Sequence, residues 1–325
     1  MPGAPWLQLS LWALLTATGA NAAEPLELAE PLELAETTKP VAQVAGLPAA
    51  STAAGERNLR LEQVADKVAL ICHPDQLDEC LAGFTPTTQP LSQDLAPLLR
   101  SRLGYRSALA APLTHPEIAG IVLWAPEREA RMLDAIVDGK LLTLTLSQQP
   151  QLTLWHELGH LQVHALQGGI LPEALSAHEQ EVLADAYLYW RIAREYGDLA
   201  LAWQQFHRRN LQVMSDISHL SHWSSVSLLP LLQQNSAVDL AYFTGFDVFC
   251  QNFYPSIKRW DDAELAEFAS LLHQLFSAST LHMLPDYLYW RKPALTPVIT
   301  PTLEYLLGSE SASIWLSKKH LLIKS

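Results

Sequence analysis

Leu152-Thr153-Leu154-Trp155-His156-Glu157-Leu158-Gly159-His160-Leu161-Gln162-Val163-His164 contains the pattern His-Glu-x-x-His at 156–160. The uncharged Leu154, Trp155, Leu158, Gly159 and Leu161 predict a helix with a buried side. Pro150 suits its first turn and Gly168-Gly169 its stop. Residues four apart on a helix stack about 6 Å apart along the axis. His156 and His160 can therefore hold one metal ion from the same side, with Glu157 placed to take a proton from a water on that ion. Gly159 costs about 1 kcal/mol against Ala inside a helix, so it is expected to mark close packing. A core helix whose histidines are only hydrogen-bonded is the competing reading.

A hydrolytic metal site needs a third protein ligand and an open fourth position. His164 continues the same stripe but lies about 12 Å along the axis from His156, too far to share an ion, and is expected on the helix face or a pocket wall. The better candidate is Glu181 in Glu181-Val182-Leu183-Ala184-Asp185, on a second helix that Pro172 and Glu173 are expected to open. Glu181 and Asp185 share a face at i, i+4. Asp185 is suited to accept a hydrogen bond from a ligand imidazole and fix its tautomer. Ala184 leaves room for the two helices to approach. Glu179 is the rival carboxylate, on another face.

His-Glu-Leu-Gly-His followed after a short loop by Glu-Val-Leu-Ala-Asp resembles the gluzincin group of zinc metallopeptidases, over residues 151–196. The resemblance implies Zn2+ held by His156, His160 and Glu181, with Glu157 as general base and Asp185 behind a ligand. It implies hydrolysis of peptide bonds in a peptide or protein substrate. It also implies a donor for the oxyanion downstream of the third ligand. Ser215-Asp216-Ile217-Ser218-His219-Leu220-Ser221-His222-Trp223 offers His222 or His219, with Tyr242, Tyr254 and Tyr287 as further candidates. Two alternatives stay open: a non-catalytic zincin-like binding or sensing protein, and a zinc amidase or deacylase acting on a non-peptide substrate. The intact Glu157 argues against the first, because a site without catalysis has no need of a base.

Residues 1–22 carry no charged side chain, and the apolar run from Trp6 to Thr16 before Ala20-Asn21-Ala22 reads as a secretory signal peptide. No stretch is long and apolar enough to predict stable membrane insertion, so a location outside the cytoplasm is expected. Glu24-Pro25-Leu26-Glu27-Leu28-Ala29 repeats at 30–35. Residues 23–57 therefore read as an acidic disordered leader, serving as spacer, recognition tail or propeptide. The whole chain carries a net charge of −13; from Asn58 onward 28 acidic side chains face 19 basic ones. That balance argues against nucleic acid as a partner.

Residues 58–325 are long enough for one large core or two subdomains, 58–170 and 171–325. The expected fold class is α+β and zincin-like: a small sheet beside the His-Glu-x-x-His helix, then a mostly helical C-terminal part. Ile118–Trp124 reads as a strand. The alternation in Leu141 to Leu146 reads as another, and by analogy it is the candidate edge for pairing an extended substrate. Leu91–Leu103, Leu199–Met214, Ala237–Phe249 and Asp261–Phe276 show helical spacing, the last capped by Asp261 or Asp262. Cys72 and Cys80 are expected to form a disulfide; a metal site with His73 is the alternative. Cys250 is left as a buried thiol.

Overall fold

A computed structural model describes residues 59–88, 90–92, 94–276 and 290–321. The expected signal peptide, the leader and Tyr287 lie outside them. The chain is α+β. A mixed sheet forms first, from β1 (Arg60–Val64), β2 (Lys67–Cys72), β3 (Ala108–Pro112) and β4 (Ile118–Trp124), in the order β1-β2-β4-β3. The β2–β4 pair is parallel and the other two pairs are antiparallel. Two helices, α1 (Leu77–Gly83) and α2 (Leu95–Leu103), lie between β2 and β3. A separate antiparallel hairpin of β5 (Met132–Val137) and β6 (Lys140–Thr145) follows.

The rest is helical. α3 (Gln149–Leu166) carries the His-Glu-x-x-His residues and α4 (Ala177–Tyr196) carries Glu181 and Asp185. Then come α5 (Ala200–Ser215), α6 (Ser225–Gln234), α7 (Ala237–Ala241), α8 (Phe246–Phe253), α9 (Asp262–Phe276), α10 (Lys292–Leu307) and α11 (Ser309–Lys318).

Both faces of the sheet are covered, which is why β4 reads Ile-Ala-Gly-Ile-Val-Leu-Trp without alternation. Leu70, Ile121 and Leu123 share one cluster with Leu77, Leu99 and Leu103 from α1 and α2. Ala69, Ile71, Ala119 and Val122 belong to a second cluster with Leu158 and Leu161 of α3, and it continues through the later helices to Leu321. Gly120 lets α3 sit on the sheet, since a Cβ there would lie 2.6 Å from Leu161 Cδ2.

α3 packs on α4 through Gly159: a Cβ at that position would lie 2.8 Å from the Ala184 carbonyl oxygen and 2.9 Å from its Cα. Close approach at this pair is what the glycine and alanine in the sequence suggest. The start of α4 differs from expectation. Ser176 caps it, with Glu179 N–H donating to Ser176 Oγ and Glu179 Oε2 accepting from Ser176 N–H. Pro172 and Glu173 lie in the preceding turn, because a reciprocal cap satisfies two free N–H groups that Pro172 and Glu173 would leave open. Ala237–Phe249 is two helices rather than one, broken where Gly245 adopts an extended conformation. Asp261 caps α9 in the same reciprocal manner, with Glu264.

A disulfide joins Cys72 at the end of β2 to Cys80 in α1, and Cys250 is a buried free thiol. Among the described residues no helix is long and apolar enough to cross a membrane.

Candidate metal centre

His156 and His160 emerge from α3 one turn apart, facing Glu181 of α4. His156 Nε2 lies 3.2 Å from His160 Nε2 and 3.3 Å from Glu181 Oε2, and His160 Nε2 lies 3.5 Å from Glu181 Oε1. Four ligands placed tetrahedrally at 2.0–2.1 Å from an ion are separated by about 3.3–3.4 Å. The three side chains thus already stand at ligand spacing. They are the one group of three or more His, Cys, Asp or Glu among the described residues whose donor atoms converge in this way, within 4.8 Å of one another.

The donor chemistry fits a cation as well. Asp185 Oδ1 lies 2.7 Å from His156 Nδ1, and a carboxylate there keeps a proton on Nδ1, so that in the neutral imidazole the lone pair lies on Nε2. Glu181 Oε2 is buried without a well-formed hydrogen bond among the described residues, facing only His156 Nε2 at 3.3 Å and Arg209 Nη2 at 3.9 Å. A buried carboxylate oxygen short of good donors costs about 1–3 kcal/mol or more, which a cation placed among the three side chains would offset. Imidazole, imidazole and carboxylate suit zinc and other borderline divalent ions.

The electrostatics behind the ligands are tightly arranged. Asp185 is 1% exposed and accepts from four atoms: His156 Nδ1, Arg209 Nε at 2.8 Å, Arg209 Nη2 at 2.9 Å and Ser224 Oγ at 2.5 Å. Burial would raise its pKa, but Arg209 and His156 outweigh it and hold the carboxyl well below the usual range. Burial likewise pushes His156 down, and Asp185 with Glu181 overcomes it, raising the imidazole to about 9. His160, with less compensation, is lowered by its burial. For Glu181 burial is outweighed by His160 and His156, and its pKa falls. Arg209, on α5, and Ser224, just before α6, have no counterpart in the sequence reading. They lie 24 and 39 residues beyond Asp185, and neither belongs to a local spacing pattern.

The three side chains open into a cleft of about 820 Å³, within the range of ligand sites. Glu157 lies on its wall, its Oε2 accepting the Ala110 N–H at 2.7 Å. Ala110 belongs to β3, the sheet edge. Leu113 N–H donates to Ala119 O and Ala125 N–H to Ser107 O, so odd-numbered residues of this edge face β4. Ala108 and Ala110 turn their peptide groups the other way, as antiparallel pairing requires. Ser107, Ala108, Leu109, Ala110 and Pro112 line the cleft, and no residue of 141–146 does. The expectation that Leu141–Leu146 forms the site's edge strand is therefore corrected. β6 pairs with β5, and its alternation reflects a half-buried hairpin with Leu142 and Leu144 inward.

The candidate donors separate. His222 lines the cleft with Nε2 3.5 Å from Glu181 Oε1, and burial lowers its pKa to about 4. His219 is exposed and outside the cleft. Both sit in a 3-10 helix at 217–222, in which three residues advance about 6 Å, so only one histidine reaches. Tyr242 is 83% exposed, and Tyr254 donates its hydroxyl to Glu179 Oε1. Glu179 is thereby occupied by Tyr254 and by the cap of α4, away from the ligands. His164 forms part of the cleft wall, beside Gln167. Compared with family models, curated proteins and solved structures, the chain matches none.

Proposed function

We propose that the chain is a zinc-dependent metallopeptidase of gluzincin type with a zincin-like fold, acting outside the cytoplasm on an extended peptide or protein segment. The observation that carries this reading is the convergence of His156, His160 and Glu181 at ligand spacing beside Glu157, in a cleft bordered by a sheet edge. The Cys72–Cys80 disulfide supports an oxidising compartment.

His156 and His160 would offer Nε2 and Glu181 its carboxylate to the ion. Zinc, when bound, supplies a Lewis acid that polarises a carbonyl and acidifies water. Asp185 keeps the proton of His156 on Nδ1, and Arg209 and Ser224 hold Asp185 in place. Glu157 takes a proton from the attacking water on a carboxylate oxygen and returns it to the leaving amine. The peptide groups of Ala108 and Ala110 pair with the substrate backbone as an added strand, and Ala110 N–H exchanges Glu157 for that partner. Ser221 Oγ lies 3.0 Å from His222 Nδ1. A hydroxyl donating there leaves the proton of His222 on Nε2, where it can meet the developing oxyanion.

The test is incubation of an unfolded protein such as reduced casein with zinc-loaded wild type and Glu157→Gln, read by mass spectrometry. Fragments from wild type, reduced at least a hundredfold in the variant, are expected. No fragments, or equal fragments from both, would reject peptide hydrolysis by this site.

A further inference from the structure

Four arginines line the cleft, and among the described residues only Arg209 is ion-paired there. Among the described residues Arg208 makes one long hydrogen bond, 3.4 Å to Gln205 Oε1, and no ion pair. Burial and the neighbouring Arg209 lower its pKa to about 10, while Glu129 and Asp185 attract it without pairing. Arg102 Nη1 is buried without a hydrogen bond. Arg106 donates only to the backbone carbonyls of Leu103 and Arg102.

Arg106 and Arg208 both line the cleft, on segments that hydrogen bonds tie to the first turn of α3. Trp124, paired with Ala108 across β3 and β4, donates its Nε1 to Pro150 O at 3.0 Å. That bond sets residues 106–108 beside the first turn of α3. On the other wall Gln205 Nε2 donates to Gln149 Oε1 at 2.8 Å, and Gln204 exchanges two bonds of 2.9 Å with the backbone of Ser147. Those bonds bring the Arg208 turn of α5 to the same place. The α3 N-terminus itself has no side-chain cap from Gln148, so its positive end adds to the field. Of the acidic residues of the cleft, Glu157, Glu181 and Asp185 gather about His156 and His160, with Asp185 held by Arg209, and Glu173 follows the far end of α3.

We propose that this end of the cleft binds a carboxylate of the substrate, either an acidic side chain or the C-terminal carboxylate of the peptide. Gln149 and His156 are seven residues apart on α3, about 10 Å along the axis. An extended peptide covers that distance in about three residues, so the carboxylate lies two to three residues from the bond cleaved. The assignment rests on the proposed reading of the cleft as a peptide site. Charge-assisted, forked contact is what arginine provides to a carboxylate.

Binding tests it without turnover. The zinc-loaded Glu157→Gln protein is titrated, by fluorescence anisotropy, into labelled alanine octapeptides of three kinds. One set is amidated with a single Glu scanned along it, one is the matching Gln set, and one has no internal acid but a free C-terminal carboxylate. At least one acidic kind should bind about tenfold or more tightly than its neutral isostere, with the preference shrinking as salt rises. The Glu arm succeeding identifies a side chain, and the terminal arm succeeding identifies a chain end. Adding Arg208→Gln should bring the acid-to-neutral ratio close to one, and Arg106→Gln should reduce it. Equal binding of acidic and neutral peptides, no binding of any, or a ratio untouched by Arg208→Gln would overturn the proposal. If the ratio holds while wild type cleaves nothing, the hydrolytic reading falls and carboxylate recognition stands.

Discussion

Replacing Gly159 by alanine separates two effects that are usually confounded. In an unconstrained helix the change is favourable by about 1 kcal/mol. Here the new methyl carbon would stand 2.8 Å from the Ala184 carbonyl oxygen and 2.9 Å from its Cα. Ordinary contact begins near 3.4 Å, so α3 and α4 must part by about 0.5–0.6 Å, and no rotamer change relieves it because the obstacle is backbone. Overpacking of this kind costs about 1–3 kcal/mol, enough to cancel the helix gain and leave the variant less stable. The same displacement separates the histidine pair from Glu181. Metal sites tolerate about 0.2 Å in ligand distance, so zinc affinity should fall by about tenfold or more. Denaturant unfolding of the chelator-treated protein and zinc titration against a competing chelator measure the two effects. A variant more stable than wild type by about 1 kcal/mol, with unchanged zinc affinity, would refute the packing argument and the role it gives Gly159.

Three further outcomes follow from the site. Asp185→Asn leaves the buried Arg209 with only the more distant Glu181, 3.9 Å away, and should cost about 3–5 kcal/mol in unfolding free energy, while weakening zinc by about 10–100-fold. Zinc binds the neutral imidazole, and His156 in the metal-free protein is raised to about 9. Between pH 7 and 9 the affinity should therefore rise by about tenfold per pH unit, with about one proton released per zinc at pH 7. A flat affinity across that range, measured by calorimetry in buffers of different ionisation enthalpy, would contradict the charge balance at His156. His222→Ala should leave zinc content intact while lowering kcat by about a hundredfold, as loss of an oxyanion donor does.

The candidate ligand set was legible because it is local. His156, Glu157 and His160 lie within one turn and a half of helix, Glu181 and Asp185 share one face, and Gly159 and Ala184 announce the helix contact. Their positions follow from helical period alone. What surrounds them comes from farther away. Arg209 within Phe206-His207-Arg208-Arg209-Asn210 has the look of a solvated charge, and only the tertiary fold shows it 93% or more buried against Asp185. β3 gives no alternation, because Ala108-Leu109-Ala110-Ala111-Pro112 lies between layers and carries mostly small side chains. β6 does alternate, and its alternation points to the wrong strand for the cleft edge. The capping residues of α4 were present as Ser176 and Glu179, but Pro172 gave a competing start signal.

Zinc content of the purified, metal-reconstituted protein tests the central claim most directly. Elemental analysis after dialysis should find about one zinc per wild-type chain, and a sharp loss in both His156→Ala and Glu181→Gln. A wild-type protein that holds no zinc would contradict the centre altogether, and a Glu181→Gln variant that keeps its full complement would contradict Glu181 as the third ligand.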